Sequence, residues 1–159
     1  WGDEFFYAPE KPQLKQLIEV YEKYNEPVLT AYEVDDKGTE RYGILDALHV
    51  EDGVYKVKNI VEKPGPKKAP WRLASLGGFI FTPDIFEALE NTKLGKDGEL
   101  WLVDAVFKLL KNHSIYAKLV KGTYYDTGSK LGYLKANVDF ALRDKKLADD
   151  FREYLRSVI

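Results

Sequence analysis

The sequence contains no cysteine and no methionine, and it has only two histidines, His49 and His113. Without cysteine the chain forms no disulfide, no thiolate zinc site and no cysteine nucleophile. The two histidines do not share the spacing of a metal-ligand pair, and each is expected to be a surface or packing residue. These absences argue against a serine-hydrolase triad and against a histidine-rich zinc site.

Long apolar runs are also missing. No segment reaches the roughly 18 apolar residues that a membrane-spanning helix needs, and the first residues do not form a signal peptide. The chain has 24 basic and 26 acidic residues, a formal charge of -2, so it carries no global positive field that attracts nucleic acid or anionic membrane. We therefore expect a cytoplasmic protein that binds neither, with any phosphate recognition confined to local sites.

The 159 residues are 45% apolar and 31% charged, with 11 Tyr, 8 Phe and 3 Trp. This composition predicts a globular protein with an aromatic-rich interior. Neither internal repeats nor a long linker divide the sequence, so a single domain over residues 1–159 is predicted, with terminal helices over 130–159. Because Trp1 is not a translation start, we expect a fragment or an N-terminally trimmed chain.

Helical and strand patterns alternate along the sequence. Residues 11–25 carry apolar side chains at helical spacing, and the short β-branched segment 27–34 is typical of a strand in a sheet covered on both faces. Asp52-Gly53 predicts a tight hairpin within a run of short strands over residues 42–64. This alternation predicts an α/β fold with a mixed sheet.

The second half of the chain continues the alternation. Thr82 is predicted to cap a helix whose first residue is Pro83. Residues 115–129 predict a strand pair or one bent strand, and 130–159 one or two helices. Another helix is predicted over residues 99–113, with one apolar face formed by Leu100, Val103, Val106, Phe107 and Leu110.

Two acidic residues, Asp3 and Asp126, each fall at a predicted strand end. Carboxylates from distant parts of one sheet can converge on Mg²⁺, which takes a few hard oxygen ligands and completes its shell with water and substrate phosphates. The simpler alternative is that Gly2-Asp3 and Asp126-Thr127-Gly128 are ordinary turns, with Asp126 at the entry of a helix. The residues alone leave both interpretations open.

Glu62 and Lys63 end a strand pattern directly before Pro64. Because proline restricts the residue before it, we expect Lys63 to be extended. The side chains of adjacent strand residues point to opposite faces unless the backbone bends. At a sheet edge the lysine can meet a phosphate and the glutamate can accept from sugar hydroxyls, whereas the alternative is a solvated strand end.

Three glycines lie inside strand patterns: Gly43 in RYGILD, and the pair Gly77-Gly78 in LASLGGFIFT. Each either lets a ligand approach the backbone closely or marks a kink in the strand. The pair does not belong to a GxGxxG or GxxxxGK[ST] motif, so a dinucleotide fingerprint or P-loop is not indicated.

Taken in order, these motifs resemble the C-terminal part of the bacterial UTP:glucose-1-phosphate uridylyltransferases, or UDP-glucose pyrophosphorylases, of the sugar nucleotidyltransferase family. The similarity is carried by WGDEFF, RYGILD, GVYKVKNIVEKPGP, LGGFIFTPDIFEAL and YYDTGSKLGYLKANVDFAL, with matching spacing over essentially the whole chain. The resemblance implies a Rossmann-like, three-layer α/β fold with a mixed sheet, without the N-terminal nucleotide-binding part.

The resemblance also implies a reaction and its cofactor. Glucose 1-phosphate attacks the α-phosphorus of UTP to give UDP-glucose and pyrophosphate, and Mg²⁺ assists. By their places in the motifs, Asp3 and Asp126 resemble the magnesium ligands, and together with Lys63 they are the implied catalytic residues. We also expect a homo-oligomer, either a dimer or a tetramer.

The sugar-binding roles come from the same resemblance. Gly43 and Glu62 resemble the sugar-contacting positions, and Lys63 resembles the lysine that holds the sugar phosphate. Gly77 or Gly78 falls where the family lines its sugar pocket.

Some features depart from the family pattern. The glycine-rich nucleotide-binding signature does not occur in these residues, so UTP specificity rests on similarity alone, and the fragment is expected to be inactive by itself. Trp101 and Val103 replace expected polar residues, and Ser129 replaces a frequent acidic residue. Two alternatives remain: a non-catalytic module for sugar-nucleotide binding or oligomerisation, and a sibling enzyme that uses dTTP or another sugar phosphate.

Overall fold

The computed structural model describes residues 2–95 and 98–159, so Trp1, Lys96 and Asp97 lie outside the described residues. The chain divides into two compact units. The central unit is Pro9–Lys121, and the terminal unit combines the segment that ends at Ala8 with Gly122–Ile159. That both units act as one domain stays a prediction.

The helices and strands follow one another in an order close to the predicted one. In chain order they are β1 (Glu4–Tyr7), α1 (Gln13–Tyr24), β2 (Val28–Glu33), β3 (Gly43–Glu51), β4 (Val54–Glu62), β5 (Leu73–Ile80), α2 (Asp84–Glu90), α3 (Leu102–Leu109), β6 (Tyr116–Leu119), β7 (Thr123–Asp126), α4 (Lys130–Arg143) and α5 (Ala148–Val158).

The central unit contains a five-stranded sheet in the order β2-β5-β3-β4-β6. β2 runs parallel to β6 and antiparallel to β5, and the other pairs are antiparallel, so the sheet is mixed as predicted. Its closure into a barrel was not predicted. Closure follows because Val28 of β2 pairs with Ile80 on one side and Tyr116 on the other, while Val54 of β4 pairs with Lys118.

The hairpin predicted at Asp52-Gly53 is confirmed, and Gly53 has the positive φ of 64° that such a turn requires. The predicted run of short strands is wrong, because β3 and β4 are continuous strands of nine residues each. Register shifts between Asp46 and Ala47 and between His49 and Glu51 bend the pair without ending it. Polar residues within the segment therefore mark bulges and the exposed face.

The core of the central unit lies between the barrel and the helices α2 and α3. Ala105, Val106 and Leu109 form the buried side of α3. The predicted apolar face of this helix is partly wrong, because Leu100 precedes the helix and is 47% exposed. Because the helix starts later than predicted, its buried face includes Ala105 and Leu109, which the predicted apolar face did not contain.

The start of α2 also differs from the prediction. The helix begins at Asp84, and Pro83 with helical dihedral angles occupies the capping position. The Thr82 carbonyl accepts a hydrogen bond from the Ile85 N–H at 3.1 Å, but the buried Thr82 Oγ1 has no partner among the described residues. Thr82 is therefore not the predicted side-chain cap, because it lies one residue too early.

The terminal unit is a two-stranded antiparallel ribbon, β1 with β7, accompanied by α4 and α5. Segment 115–129 thus forms two strands that pair with different partners, rather than a strand pair or one bent strand. The terminal helical segment divides into two helices between Arg143 and Ala148. None of the helices in the described ranges 2–95 and 98–159 is long and apolar enough to cross a membrane.

Candidate active site

Asp3 and Asp126 lie side by side at one end of the β1–β7 ribbon. Glu4 pairs with Asp126 across the ribbon, which places Asp3 next to the residue that ends β7. Thr127 closes this end, because its N–H and its Oγ1 both donate to the Asp3 carbonyl, at 2.7 and 2.8 Å. The backbone at both acids is therefore held by hydrogen bonds.

The two carboxylates converge on Gly128. A Cβ atom at position 128 would overlap Asp3 Oδ2 and would lie 3.3 Å from Asp126 Oδ1. The Gly128 N–H also donates to Asp126 Oδ1 at 3.1 Å. The space that a side chain would fill at this glycine is thus bordered by carboxylate oxygens from opposite ends of the chain.

The first turn of α4 also approaches Asp126 closely. A side chain at Gly132 would overlap the Asp126 carbonyl oxygen, so glycine is required for this contact. Ser129 caps the helix, since its Oγ accepts from the Gly132 N–H at 3.1 Å. The structure therefore assigns the helix-entry role, which sequence reasoning offered for Asp126, to Ser129.

The donor set at this end of the ribbon fits a magnesium ion. Mg²⁺ is usually held by one or two carboxylates, with water and substrate phosphates in the other positions. In the part of the chain that the structure describes, no cluster of three or more His, Asp or Glu residues is arranged to hold a metal. Asp3 and Asp126 would be the protein's ligands, and this role stays a prediction.

In the central unit, Gly43 and Glu62 pair across β3 and β4. A Cβ at position 43 would lie 3.1 Å from Glu62 Oε2 and 3.1 Å from Ile60 Cγ2, which is tighter than ordinary contact. Glycine at this position therefore makes room for the Glu62 carboxylate.

Lys63 is not extended, and this prediction is wrong. Its φ of 44° is positive, an uncommon conformation that costs a non-glycine residue about 1–3 kcal/mol. The backbone here is held on both sides: the Lys63 N–H donates to the Tyr42 carbonyl at 3.3 Å, and the Gly65 N–H donates to the Thr39 carbonyl at 3.0 Å. These tertiary bonds override the preference that Pro64 imposes on the residue before it.

The bend at Lys63 brings two adjacent charged side chains together. Lys63 Nζ lies 3.5 Å from Glu62 Oε1, and both side chains remain about half exposed. On a regular strand these side chains would point to opposite faces. The strained backbone thus presents an ammonium and a carboxylate on the same side of the strand end.

Gly77 and Gly78 form a bulge in β5, two residues beyond Ser75, which pairs with Gly43. Gly78 has a φ of 94°, and a side chain there would overlap Gln13 Nε2. Gln13 Nε2 donates to the Gly77 carbonyl at 2.7 Å and to Thr30 Oγ1 at 2.8 Å. The bulge therefore has a packing reason, and its role in a sugar pocket stays a prediction.

Sequence reasoning identified the glycine pair but missed the residue that packs against it. Gln13 begins α1 and reaches the bulge, while Thr30 is completely buried and donates to the Gly78 carbonyl at 2.6 Å. Thr30 lies inside an otherwise apolar strand pattern. A polar residue at such a place was the available signal, because a buried hydroxyl needs a partner.

The structure thus groups the predicted residues within their own units. Asp3 and Asp126 come together in the terminal unit, and Gly43, Glu62 and Lys63 come together in the central unit.

Known proteins share the sequence and the fold of this chain. The sequence profile of the family described as "Nucleotidyl transferase" matches residues 2–142. The chain belongs to the nucleotidyl transferase family. The predicted nucleotidyltransferase α/β fold is therefore confirmed, and the similarity includes the segments that carry all seven predicted site residues.

Several relatives share both sequence and structure with this chain. A protein of Bacillus subtilis named UTP--glucose-1-phosphate uridylyltransferase is 40% identical over 99% of this chain and 54% of its own length. A crystal structure of UDP-glucose pyrophosphorylase complexed with UDP-glucose matches 89% of this chain and 54% of its own, with a TM-score of 0.83 and 36% identity.

A third similar protein is the UTP-bound UGPase from Acinetobacter baumannii. It has a TM-score of 0.88 and 29% identity, and the match covers 99% of this chain and 54% of its own. The predicted similarity to the uridylyltransferases is confirmed by these matches. The chain spans about half the length of the curated relatives it matches.

Proposed function

We propose that this nucleotidyl transferase supplies the metal and sugar-phosphate part of a UTP:glucose-1-phosphate uridylyltransferase. The observation that carries the proposal is the convergence of Asp3 and Asp126 on Gly128. It occurs in a chain 40% identical to a relative named for that activity. Mg²⁺, a dimeric or tetrameric state and a cytoplasmic location belong to the same proposal.

In the proposed reaction, a phosphate oxygen of glucose 1-phosphate attacks the α-phosphorus of UTP. The bond between the α-phosphorus and the oxygen that bridges it to the β-phosphorus breaks, and pyrophosphate leaves with that electron pair. Such transfers depend on positioning and on charge neutralisation rather than on covalent catalysis. The residues of this chain therefore need only to bind, orient and neutralise the reactants.

Each predicted residue has a role that its surroundings support. Asp3 and Asp126 would hold Mg²⁺, which when bound offsets the negative charge of the phosphates. Lys63 would bind the sugar phosphate, because its ammonium is about half exposed and its nearest carboxylate, Glu62, is 3.5 Å away. Glu62 would accept hydrogen bonds from sugar hydroxyls, and Gly43 leaves its carboxylate the necessary space.

The test is pyrophosphate release from UTP and glucose 1-phosphate by this chain, completed with the portion of the Bacillus subtilis relative that it lacks. With Mg²⁺ present, Asp126→Asn should lower turnover by about 100-fold or more, because a metal ligand loses its charge. Its thermal stability should barely change. Asp150→Asn, at an exposed position in the first turn of α5, is the matched control and should keep full turnover.

The proposal fails if the completed chain releases no pyrophosphate, or if Asp126→Asn and Asp150→Asn are equally active. Replacing UTP with dTTP, and glucose 1-phosphate with other sugar phosphates, separates the uridylyltransferase from a sibling enzyme.

A further inference from the structure

Tyr125, the residue before Asp126, is the only large side chain that the described part of the terminal unit buries almost completely, at 5% exposure. Its hydroxyl donates to Asp139 Oδ2 at 2.8 Å and accepts from Arg143 Nη1 at 2.6 Å. Both partners lie in the C-terminal half of α4. The Tyr125 hydroxyl therefore links β7 to the far end of α4, although α4 begins only four residues after the end of β7.

Aromatic rings fix both ends of this link. The Tyr125 ring stacks on Phe5 of β1 at 5.2 Å between centroids. The Arg143 guanidinium lies 4.5 Å from the centre of the Tyr7 ring and 5.5 Å from that of Phe140. Each contact of this kind is worth about 0.5–1.5 kcal/mol, so these rings hold both the Tyr125 side chain and the Arg143 guanidinium in place.

The charges of the two partners strengthen the same arrangement. The hydrogen bond that Arg143 donates to the Tyr125 hydroxyl raises the pKa of the Arg143 guanidinium. The hydroxyl thus donates one hydrogen bond and accepts another, both with charged partners.

Asp126 needs such support, because its strand is short. β7 has four residues and, among the strands of the described ranges, pairs only with β1, and an isolated two-stranded ribbon is marginally stable. Side chains alternate along a strand, so Tyr125 faces α4 while Asp126 faces away from that network. A rotation of β7 that moved the Asp126 carboxylate away from Asp3 would therefore break both hydrogen bonds of Tyr125.

We infer that Tyr125, Asp139 and Arg143 are positioning residues that hold the Asp126 carboxylate beside Asp3 for metal binding. This inference rests on the proposed role of Asp3 and Asp126. The three residues act through the backbone of β7 and α4, and the Tyr125 hydroxyl is the group on which the other two depend.

The test measures Mn²⁺ binding to the 159-residue chain from the electron paramagnetic resonance signal of free Mn²⁺, which requires no catalysis. Tyr125→Phe keeps the ring and removes both hydrogen bonds, and it should weaken Mn²⁺ binding by roughly 10-fold, the lower end of the effect of outer-shell partners of metal ligands. Tyr154→Phe is the matched control, because Tyr154 is 59% exposed on α5. It should bind Mn²⁺ as the wild type does.

A second pair of variants gives an independent measurement. Asp139→Ala removes the acceptor for the Tyr125 hydroxyl and should also weaken Mn²⁺ binding. Asp139→Asn keeps an acceptor oxygen and should restore the affinity to within about twofold of the wild type, because a neutral acceptor still orients the hydroxyl. A purely structural role would lower the melting temperature of Asp139→Ala and leave its Mn²⁺ affinity unchanged.

The inference is overturned if Asp126→Asn abolishes Mn²⁺ binding while Tyr125→Phe and Asp139→Ala bind it as tightly as the wild type. If Asp126→Asn itself binds Mn²⁺ as the wild type does, the proposed metal site fails, and the inference fails with it.

Discussion

The two units support their parts of the candidate site by different means. In the central unit, Gly43, Glu62 and Lys63 lie on a closed barrel whose core includes completely buried residues such as Leu45 and Ile115. In the terminal unit, the buried apolar side chains among the described residues are Tyr125, Ala136 and Ala148. The predicted sugar-binding residues therefore depend on apolar packing, whereas the two acids depend on hydrogen bonds, glycine contacts and one aromatic cluster.

The largest effect on metal binding is expected at Gly128 of the terminal unit, where a side chain would overlap a carboxylate oxygen. Gly128→Ala would place a methyl group against Asp3 Oδ2 and within 3.3 Å of Asp126 Oδ1. We expect Mn²⁺ binding to fall by about 100-fold or more, because the methyl group fills the space between the two predicted ligands. Titration of the purified chain with Mn²⁺ measures this loss.

Gly2→Ala is the matched control for this prediction. Gly2 is next to Asp3, but among the described residues other than its chain neighbours nothing lies within 4 Å of a Cβ atom placed there. This variant should bind Mn²⁺ as the wild type does. Equal binding by the two alanine variants would contradict convergence of the acids on Gly128.

The next effect is expected in the barrel. Leu45→Ala should lower the free energy of unfolding by about 2–5 kcal/mol, because it opens a cavity in a packed interior. Leu131→Ala, at a position of α4 that is 64% exposed, should change it by less than about 0.5 kcal/mol. Urea denaturation measures the free energy of unfolding of both variants. Similar losses would show that apolar packing does not distinguish the two units.

A smaller effect tests the strain at Lys63. Lys63→Gly and Lys63→Ala both remove the ammonium, but only glycine adopts a positive φ without steric cost. We expect the glycine variant to be more stable than the alanine variant by about 1 kcal/mol. At Lys67, an exposed position in the same loop where φ is not positive, glycine should instead be the less stable of the two. The same order at both positions would argue against strain at Lys63.

The smallest effect concerns Glu51, which joins β3 to α1. Its carboxylate accepts hydrogen bonds from Lys23 Nζ at 2.5 Å and from Tyr24 Oη at 2.8 Å, and the bond from Lys23, followed by that from Tyr24, holds the pKa of Glu51 below its ordinary value of 4.5. A carboxyl group whose pKa falls on folding stabilises the fold above its unfolded pKa, and this stabilisation is lost as pH falls through the folded pKa.

Glu51→Gln should therefore have a lower melting temperature than the wild type near neutral pH. The two melting temperatures should approach each other below pH 4.5. Glu22→Gln, at an exposed position of α1, serves as control. A difference between Glu51→Gln and the wild type that stays constant as the pH falls would disprove the coupling.

Much of the fold could be predicted because its signals are local. The periodicity of α1, the β-branched segment of β2 and the Asp52-Gly53 turn each determine their own conformation. Strand partners are not local properties. β6 and β7 are adjacent in sequence but join different sheets, and the barrel closes through pairings among β2, β4 and β6.

For the candidate site, too, the sequence predicted local features but not the contacts between distant residues. Asp3, Asp126 and Lys63 were singled out through the resemblance to a known family, and their residue types suit the metal and phosphate binding that stays a prediction for them. The conformation of Lys63 was predicted wrongly, since a hydrogen bond to Tyr42, distant in sequence, overrides the local preference. Tyr125 was missed because its hydroxyl partners lie in α4, and periodicity alone does not pair a strand residue with a particular helix residue.

The bulge at Gly77-Gly78 also links two distant positions of the chain. The Gln13 amide occupies the volume that a side chain at position 78 would need. Natural variants that carry a larger residue at position 78 should therefore carry a shorter one at position 13, and the φ of 94° would still strain any residue other than glycine there. The first residue of α1 thus limits which amino acids evolution can place in this bulge.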